Sequence, residues 1–272
     1  PAVSTALSRL RHILKDDLFT REPGGMRPTP RALDLAVPIN QALRQLEAAV
    51  QPMEFVPAES TRRFRMAIAS HTEMAILPQL VERIHKVAPF LELHAMPKPN
   101  PEVARQLDAN QIDFAIGAVG KIPDRVQRAC LYDDEFVCVM RSGHPLAKKK
   151  TLTLAEFAAA RHLLVTSTGE SSTLLDAVLG KHHQRRSIQI TVKHFLAGAQ
   201  ILEETDLVAG WFFRSLGPVL HFAGKGPTIR RLPLPPIRVE IVWHPGLTAH
   251  PAYKWLRNEI IAVCEPFRSG KG

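Results

Sequence analysis

Residues 1–31, PAVSTALSRLRHILKDDLFTREPGGMRPTPR, decide how the rest of the chain is read. Val3, Leu7, Leu10 and Leu14 recur at three- and four-residue spacing, which predicts a helix with one apolar face. Pro1 suits a first helical turn, where its missing N–H is not needed. The other face carries Ser4, Thr5, Ser8, Arg9, Arg11, His12 and Lys15. Short hydroxyls with arginines beyond them suit a helix laid in a DNA major groove. Hydroxyls reach base edges or phosphates there, and arginines do either more strongly. Leu18, Phe19 and Thr20 then read as a strand, and Pro23-Gly24-Gly25 as a tight turn. Arg21 and Arg27 flank that turn, which would place two cations on the tip of a β-wing. Helix followed by basic wing is the order of a winged helix-turn-helix.

The stretches PAVSTALSRLR, DLFTRE and GMRPTPRA resemble the DNA-binding end of the LysR-type transcriptional regulators, nearest to the branch that controls nodulation and aromatic-catabolism genes. All three fall in the family's order and spacing. The competing reading is an amphipathic helix and hairpin of some unrelated domain. The resemblance implies promoter DNA as a partner, met through Pro1, Ser4, Thr5, Ser8, Arg9, Arg21, Arg27 and Thr29. It also implies that the family's first helix and nearly all of its second would precede Pro1, so that the sequence opens at the recognition helix.

At 272 residues the expectation is more than one domain, with room for substantial cores. A hydrophobic fraction of 45% with 22% charged residues is that of a globular protein and leaves no low-complexity class open. The net charge of +9 favours a polyanionic partner. Residues 1–31 hold six Lys/Arg against three acids, so a third of that excess lies in the helix and wing. Cys130, Cys138 and Cys264 are an odd, widely spaced set without a C-x-x-C pair. That argues against a disulfide framework or zinc site and for the reducing cytoplasm. No apolar run approaches a transmembrane length and no signal peptide is visible, so no membrane partner is expected.

From residue 32 to residue 50 the chain reads as a linker helix. Ala36, Ile39, Leu43, Leu46 and Val50 alternate spacings of three and four, the seam of a coiled coil. Pro38 should kink this helix or end its first segment. Ile39, Leu43 and Leu46 are the candidate dimer contacts, the alternative being a helix packed on its own domain. Residues 51–62, with two prolines in QPMEFVPAES, read as a hinge.

Strand, helix, strand, helix, strand then follow in RFRMAIAS, the segment opened by Ser70-His71-Thr72-Glu73, LELHAMPK, PEVARQLDANQ and DFAIGAV. That order indicates a parallel α/β sheet. The pattern restarts after DDEFVCVMRSGHPLA. Residues 63–135 with 243–268 are expected to form one lobe and 136–242 a second, in a periplasmic-binding-protein-like architecture. DDEFVCVM with GHPLA, and VEIVWHPG before a helix carrying WLR, resemble the LysR effector domain at matching places. The fold class is thus α/β: a partial winged helix-turn-helix and linker helix, then a two-lobed effector domain.

No catalytic constellation is present: there is no H-E-x-x-H, G-x-S-x-G, Walker loop or dinucleotide fingerprint, and neither enzyme, metal nor cofactor is expected. His144 and His244 stand beside prolines at strand exits, which suits a turn role, and KHHQRR reads as a solvated helix end. Ser70-x-x-Glu73 and Ser167-x-x-Glu170 read as capping boxes, each after the first strand of its half. Ligands of open α/β sheets lie outside the carboxyl ends of the strands, where helix N-termini offer N–H groups to an anion. The expected effector set is therefore Ser70, His71, Thr72, Thr168, Glu170, His194, Phe195 and Arg214. Glu73 and Glu170 oppose an anion at the same ends. The resemblance implies a homodimer or tetramer that alters transcription, with RNA polymerase as a partner and a small aromatic or anionic effector in the cleft. A solute-binding or sensor protein of the same fold without a DNA role is the alternative, but it would need neither the basic wing nor the seam helix.

Overall fold

The computed structural model describes residues 2–22, 24–50, 54–97, 102–166, 173–217 and 226–268, with the backbone alone for residues 2, 37, 41 and 44–50. The chain divides into two units, Pro1–Glu54 and Phe55–Gly272.

The first unit runs α1 (Ala2–Leu14), β1 (Phe19–Glu22), β2 (Gly25–Pro28) and α2 (Pro30–Val50). Between α1 and β1 the chain reverses sharply, with Lys15 and Leu18 at φ of 51° and 59°. Asp16 holds that reversal: its Oδ1 accepts from the Leu18 N–H and the Thr29 hydroxyl, both at 2.7 Å. The Thr29 hydroxyl and the Leu18 N–H keep the Asp16 carboxyl below its ordinary range. Thr29 Oγ1 also accepts from the Ala32 N–H at 3.1 Å, so Thr29 is the N-cap of α2 and Pro30 its first helical residue. α2 continues through Pro38, where a kink or a stop is expected from sequence. Asn40 donates to the Ala36 carbonyl at 2.7 Å beside the position where proline interrupts the ladder.

In the second unit the first lobe is a five-stranded sheet, built from β3 (Arg63–Ile68), β4 (Glu92–Pro97), β5 (Phe114–Gly117), β6 (Gln127–Asp134) and β12 (Ile237–Trp243), in the order β4-β3-β5-β12-β6. β3 is parallel to β4 and β5, as expected, whereas β12 runs antiparallel to β5 and β6. Strand alternation divides the side chains between two layers. Phe64, Met66, Ile68, Phe114, Ile116, Val239 and Ile241 pack under α3 (Ser70–Val87) and the last helix, α8 (Pro251–Arg268). Ala67, Ala115 and Val242 face the other way, onto Val103 and Leu107 of α4 (Val103–Asp108).

The second lobe holds β7 (Phe136–Met140), α5 (Leu154–Ala159), β8 (Arg161–Val165), α6 (Leu174–Lys181), β9 (Ser187–Val192), α7 (Phe195–Glu204), β10 (Ala209–Phe212) and β11 (Thr228–Arg231). β7 lies between β10 and β11, and parallel β8 and β9 join β10 through a bridge at His162 and Val208. Val137 and Val139 face α7, while Phe136, Cys138 and Met140 face α5 and α6.

Four expectations need correction. The lobe boundary at 242/243 is misplaced, because β12 is an inner strand of the first lobe's sheet; the chain returns across the prolines before Ile237. The hinge does not extend to residue 62: Phe55 packs on Trp255 with ring centroids 5.3 Å apart, and Arg62 donates to the Tyr253 hydroxyl. The Ser70–Glu73 box does not form either. Glu73 N–H bonds the Ala69 carbonyl at 2.8 Å, so Ser70 is already inside α3 and Ala69 caps it without a side chain. In the second lobe α6 starts at Leu174 rather than in the 168–171 segment, capped by Thr173. Asp176 supplies the closing carboxylate, accepting from the Thr173 N–H at 2.7 Å. Ser167, Thr168 and Glu170 lie outside the described residues.

Candidate functional site

Two surfaces carry candidate chemistry, one in each unit. On α1 the side chains of Ser4, Thr5, Ser8, Arg9 and His12 are all exposed and, at spacings of one, three and four, share one helical face. Arg11 is turned away from it: its Nε donates to the Asp17 carbonyl at 2.6 Å and ties the helix to the wing. Val3 and Leu10 remain 82% and 46% exposed, so the apolar stripe of α1 is covered by the described residues only around Leu7 and Leu14.

The wing is a ribbon in register Thr20↔Arg27 and Arg21↔Met26. Adjacent pairs of an antiparallel ribbon project to opposite faces. Arg21 and Arg27 therefore flank the tip as expected but do not share a face. Arg27 shares its face with Glu22, 3.5 Å away, which offsets part of its charge. Arg21 has no ion pair among the described residues. Thr29 is half-buried and engaged twice, with Asp16 and as the cap of α2, so the structure gives it a positioning task rather than a free hydroxyl. Pro1 lies outside the described residues.

This geometry makes the wing testable. Arg21→Ala should weaken binding to every duplex sequence alike and lower the salt slope by about one counterion. Arg27→Ala should do less, because Glu22 already balances it. Fluorescence anisotropy over a salt series measures both, and an equal loss in the two variants would contradict the assignment of faces.

In the second unit the lobes meet at the N-terminal turn of α3. His71 stacks on Phe212 with ring centroids 4.0 Å apart and 17° between planes. Met74 enters the apolar cluster of Val137, Val139, Phe195 and Trp211 in the opposite lobe. Thr72 is fully buried, and its hydroxyl lies against the phenol of Tyr132. Burial drives the Tyr132 phenol far above its ordinary pKa, so it stays a neutral donor. The Thr72 hydroxyl, the Tyr132 phenol and the Trp211 indole N–H have no well-aligned hydrogen-bond partner among the described residues. Buried polar atoms of that kind are uncommon and call for an explanation.

His194 is exposed and caps α7 through its backbone, which sets aside the reading of it as a core histidine. Phe195, beside it, is half-buried with its edge on Trp211 at 5.3 Å. Ser70 is half-buried on the first turn of α3. Arg214 does not serve as the expected countercharge. Its guanidinium donates to the Phe267 and Asp133 carbonyls and lies over the rings of Tyr132 and Phe267, because the short turn after β10 aims it at the end of α8. Its backbone N–H goes to Asp134, a carboxylate pushed up by burial against the opposing pull of that bond and of the Glu135 N–H. Thr168 and Glu170 cannot be placed with these residues, since they lie outside the described part. Tyr132, Phe212 and Trp211 were not singled out from sequence. A polar aromatic inside the run ACLYDDEFV was the available signal for Tyr132. The two proline-flanked histidines do serve turns: His144 Nδ1 accepts from the Leu146 N–H and His244 Nδ1 from the Gly246 N–H.

Residues 57–265 match the model of the LysR substrate binding domain. The chain is 32% identical to the HTH-type transcriptional activator NagR of Ralstonia sp. over 97% of its length and 87% of that protein's. It is 31% identical to the HTH-type transcriptional activator NahR of Pseudomonas putida, covering 95% of the chain and 86% of the relative. Among solved structures, a probable transcriptional regulator from Pseudomonas aeruginosa superposes with a TM-score of 0.66 at 30% identity, over 95% of this chain and 86% of that one.

Proposed function

The chain belongs to the LysR family of transcriptional regulators, whose effector-binding domain it carries, and from that premise we propose that it binds a small anionic aromatic compound between its two lobes. The observation that supports this reading is the junction of the lobes at the first turn of α3, where buried Thr72 lies against Tyr132 and Met74 enters the opposite lobe's cluster with Phe195 and Trp211. A ring packs against Phe195 and its neighbours, while hydroxyls and the first turns of α3 and α7 receive the negative group. His194 adds a donor at the rim in either protonation state.

Benzoate is the simplest probe, with benzamide and cyclohexanecarboxylate as controls for charge and ring. Thr72→Val removes the hydroxyl while keeping the shape. It should weaken benzoate binding about tenfold, on the scale of one hydrogen bond to a charged group. Thermal stability without ligand should hold or rise, since a buried hydroxyl lacking a good partner costs folding energy. His194→Ala should lose about 1–2 kcal/mol of binding with unchanged stability. Equal affinity of wild type and Thr72→Val in calorimetry, or preference for the neutral amide, would reject the anionic pocket.

The remaining parts of the reading follow from the family and from the first unit. The exposed face of α1 and the wing meet promoter DNA, with Ser4, Thr5, Ser8 and Arg9 at the bases. Two chains associate through Ile39, Leu43 and Leu46 of α2, as a dimer or within a tetramer. Transcription changes through contact with RNA polymerase in the cytoplasm, and the protein catalyses no reaction. No helix among the described residues is long and apolar enough to cross a membrane.

A further inference from the structure

One strongly charged patch stands outside both surfaces. The run KHHQRR closes α6: His182 and His183 donate backbone N–H groups to the Leu179 and Gly180 carbonyls, and His183 takes φ of 56° to end the helix. A helix C-terminus accounts for cations in its last turn. It does not account for the two arginines that follow, and those two diverge. Arg186 turns inward, its side chain 2% exposed, onto Asp176 and Thr173. Arg185 is left outside with Lys181, His182 and His183, all exposed. The sheet adds a fifth group. β8 and β9 are parallel and begin side by side, Arg161 opposite Ser187, so exposed Arg161 lies at the same end of the strands as Arg185.

Among the described residues none of Arg161, Lys181 and Arg185 makes an ion pair. Of the carboxylates at this end of the lobe, Asp176 is engaged by Arg186 and Asp206 by Arg141, while Glu203 and Glu204 close α7 without an ion pair to the patch among the described residues. Cations that only solubilise a surface are normally interspersed with acids. Here, sequence turn, helix end and sheet register bring one sign of charge to one edge.

We infer that this edge of the second lobe, formed by Arg161, Lys181, His182, His183 and Arg185, is a contact for the phosphate backbone of duplex DNA. The inference rests on the DNA-binding reading of the first unit. A chain already held on DNA presents its other surfaces to neighbouring phosphates at high effective concentration, so a contact too weak to act alone contributes there. Exposed lysine and arginine without base-reading geometry favour phosphate over any particular sequence. The contact therefore adds affinity and salt dependence but no specificity.

The test compares three variants of the full chain on a labelled duplex over a KCl series. Lys181→Gln/Arg185→Gln removes two patch charges, Lys121→Gln/Lys254→Gln removes two exposed charges from the first lobe, and Arg21→Ala probes the wing. Removing one cation from a DNA phosphate lowers the log–log salt slope by about 0.9. The patch variant is therefore expected to lower it by roughly 2, and the first-lobe variant to leave it unchanged. An unchanged slope in the patch variant, with a reduced one in Arg21→Ala, overturns the patch while the wing reading stands. If Arg21→Ala is silent too, both fall. Equal slope losses in the patch and first-lobe variants overturn it in favour of diffuse charge. Loss of polyglutamate binding with DNA binding intact overturns it in favour of an acidic protein surface.

Discussion

Replacing Leu43 by Glu is expected to convert the protein from oligomer to monomer, or to aggregate it, while the effector-binding unit stays folded. Ile39 and Leu43 lie on one face of α2 and remain 46% and 49% exposed. A helix packed on its own domain would bury them, so the variant sets the dimer seam against that alternative. The side chain of Leu46 lies outside the described residues, but the alternation of threes and fours continues through it. Across a two-fold axis the variant would bring two carboxylates together in an apolar seam. Burying an unpaired charge costs several kcal/mol, which is on the scale of the whole association energy. Sedimentation velocity reads the outcome. An unchanged oligomer with Glu in place would move the interface elsewhere.

The second large effect is expected at Arg186, a residue buried almost completely beside a carboxylate. Burial works against charge on Asp176, but the Arg186 guanidinium and the Thr173 N–H and hydroxyl outweigh it and hold the carboxyl down at about 2. Arg186→Met leaves that carboxylate without its cation and should cost about 3–5 kcal/mol. The pH dependence carries a second signature. Asp176 protonates more readily in the unfolded chain, so its contribution is full above pH 4 and fades as pH falls toward 2, by about 2 kcal/mol. His162 adds to acid sensitivity at higher pH. Burial, with the charge of Arg186 second, holds it neutral down to about 4 instead of 6.5. Its protonation favours the unfolded chain, so stability falls as pH drops between those two values. In Arg186→Met the step below pH 4 should largely disappear, and the His162 transition should move upward. Urea unfolding at a series of pH values measures both. A loss under about 1 kcal/mol at pH 7 would mean that Asp176 is solvated in solution.

Local pattern carried the sequence reading a long way. The apolar period of three and four in α1, the Pro-Gly-Gly turn and the basic residues around it are short-range features, and each was visible without tertiary information. The same holds for the alternation of strands and helices, and for the histidine–proline turns at residues 144 and 244. Pattern failed where a residue's meaning depended on a partner distant in sequence. β12 reads as one more strand of the second lobe until it pairs with β5 and β6, strands separated from it by about a hundred residues. Ser70 looks like a cap until the Glu73 N–H, bonded to the Ala69 carbonyl, shows that the helix already includes Ser70.

The site divides along the same line. His194 and Phe195 could be proposed from a strand end, and Thr72 from a helix start, because both are local. Arg214 could not be judged locally: only the end of α8 shows that its guanidinium is committed to backbone carbonyls. Arg21 and Arg27 flank one turn in the sequence, and the ribbon register alone puts them on opposite faces. Composition and periodicity determined that this chain is a basic α/β protein with a helix and wing at its start. Tertiary structure decided which charges are free and which are paired, because a charge is neutralised by whatever the fold brings within a few ångströms of it, and that distance is not written along the chain.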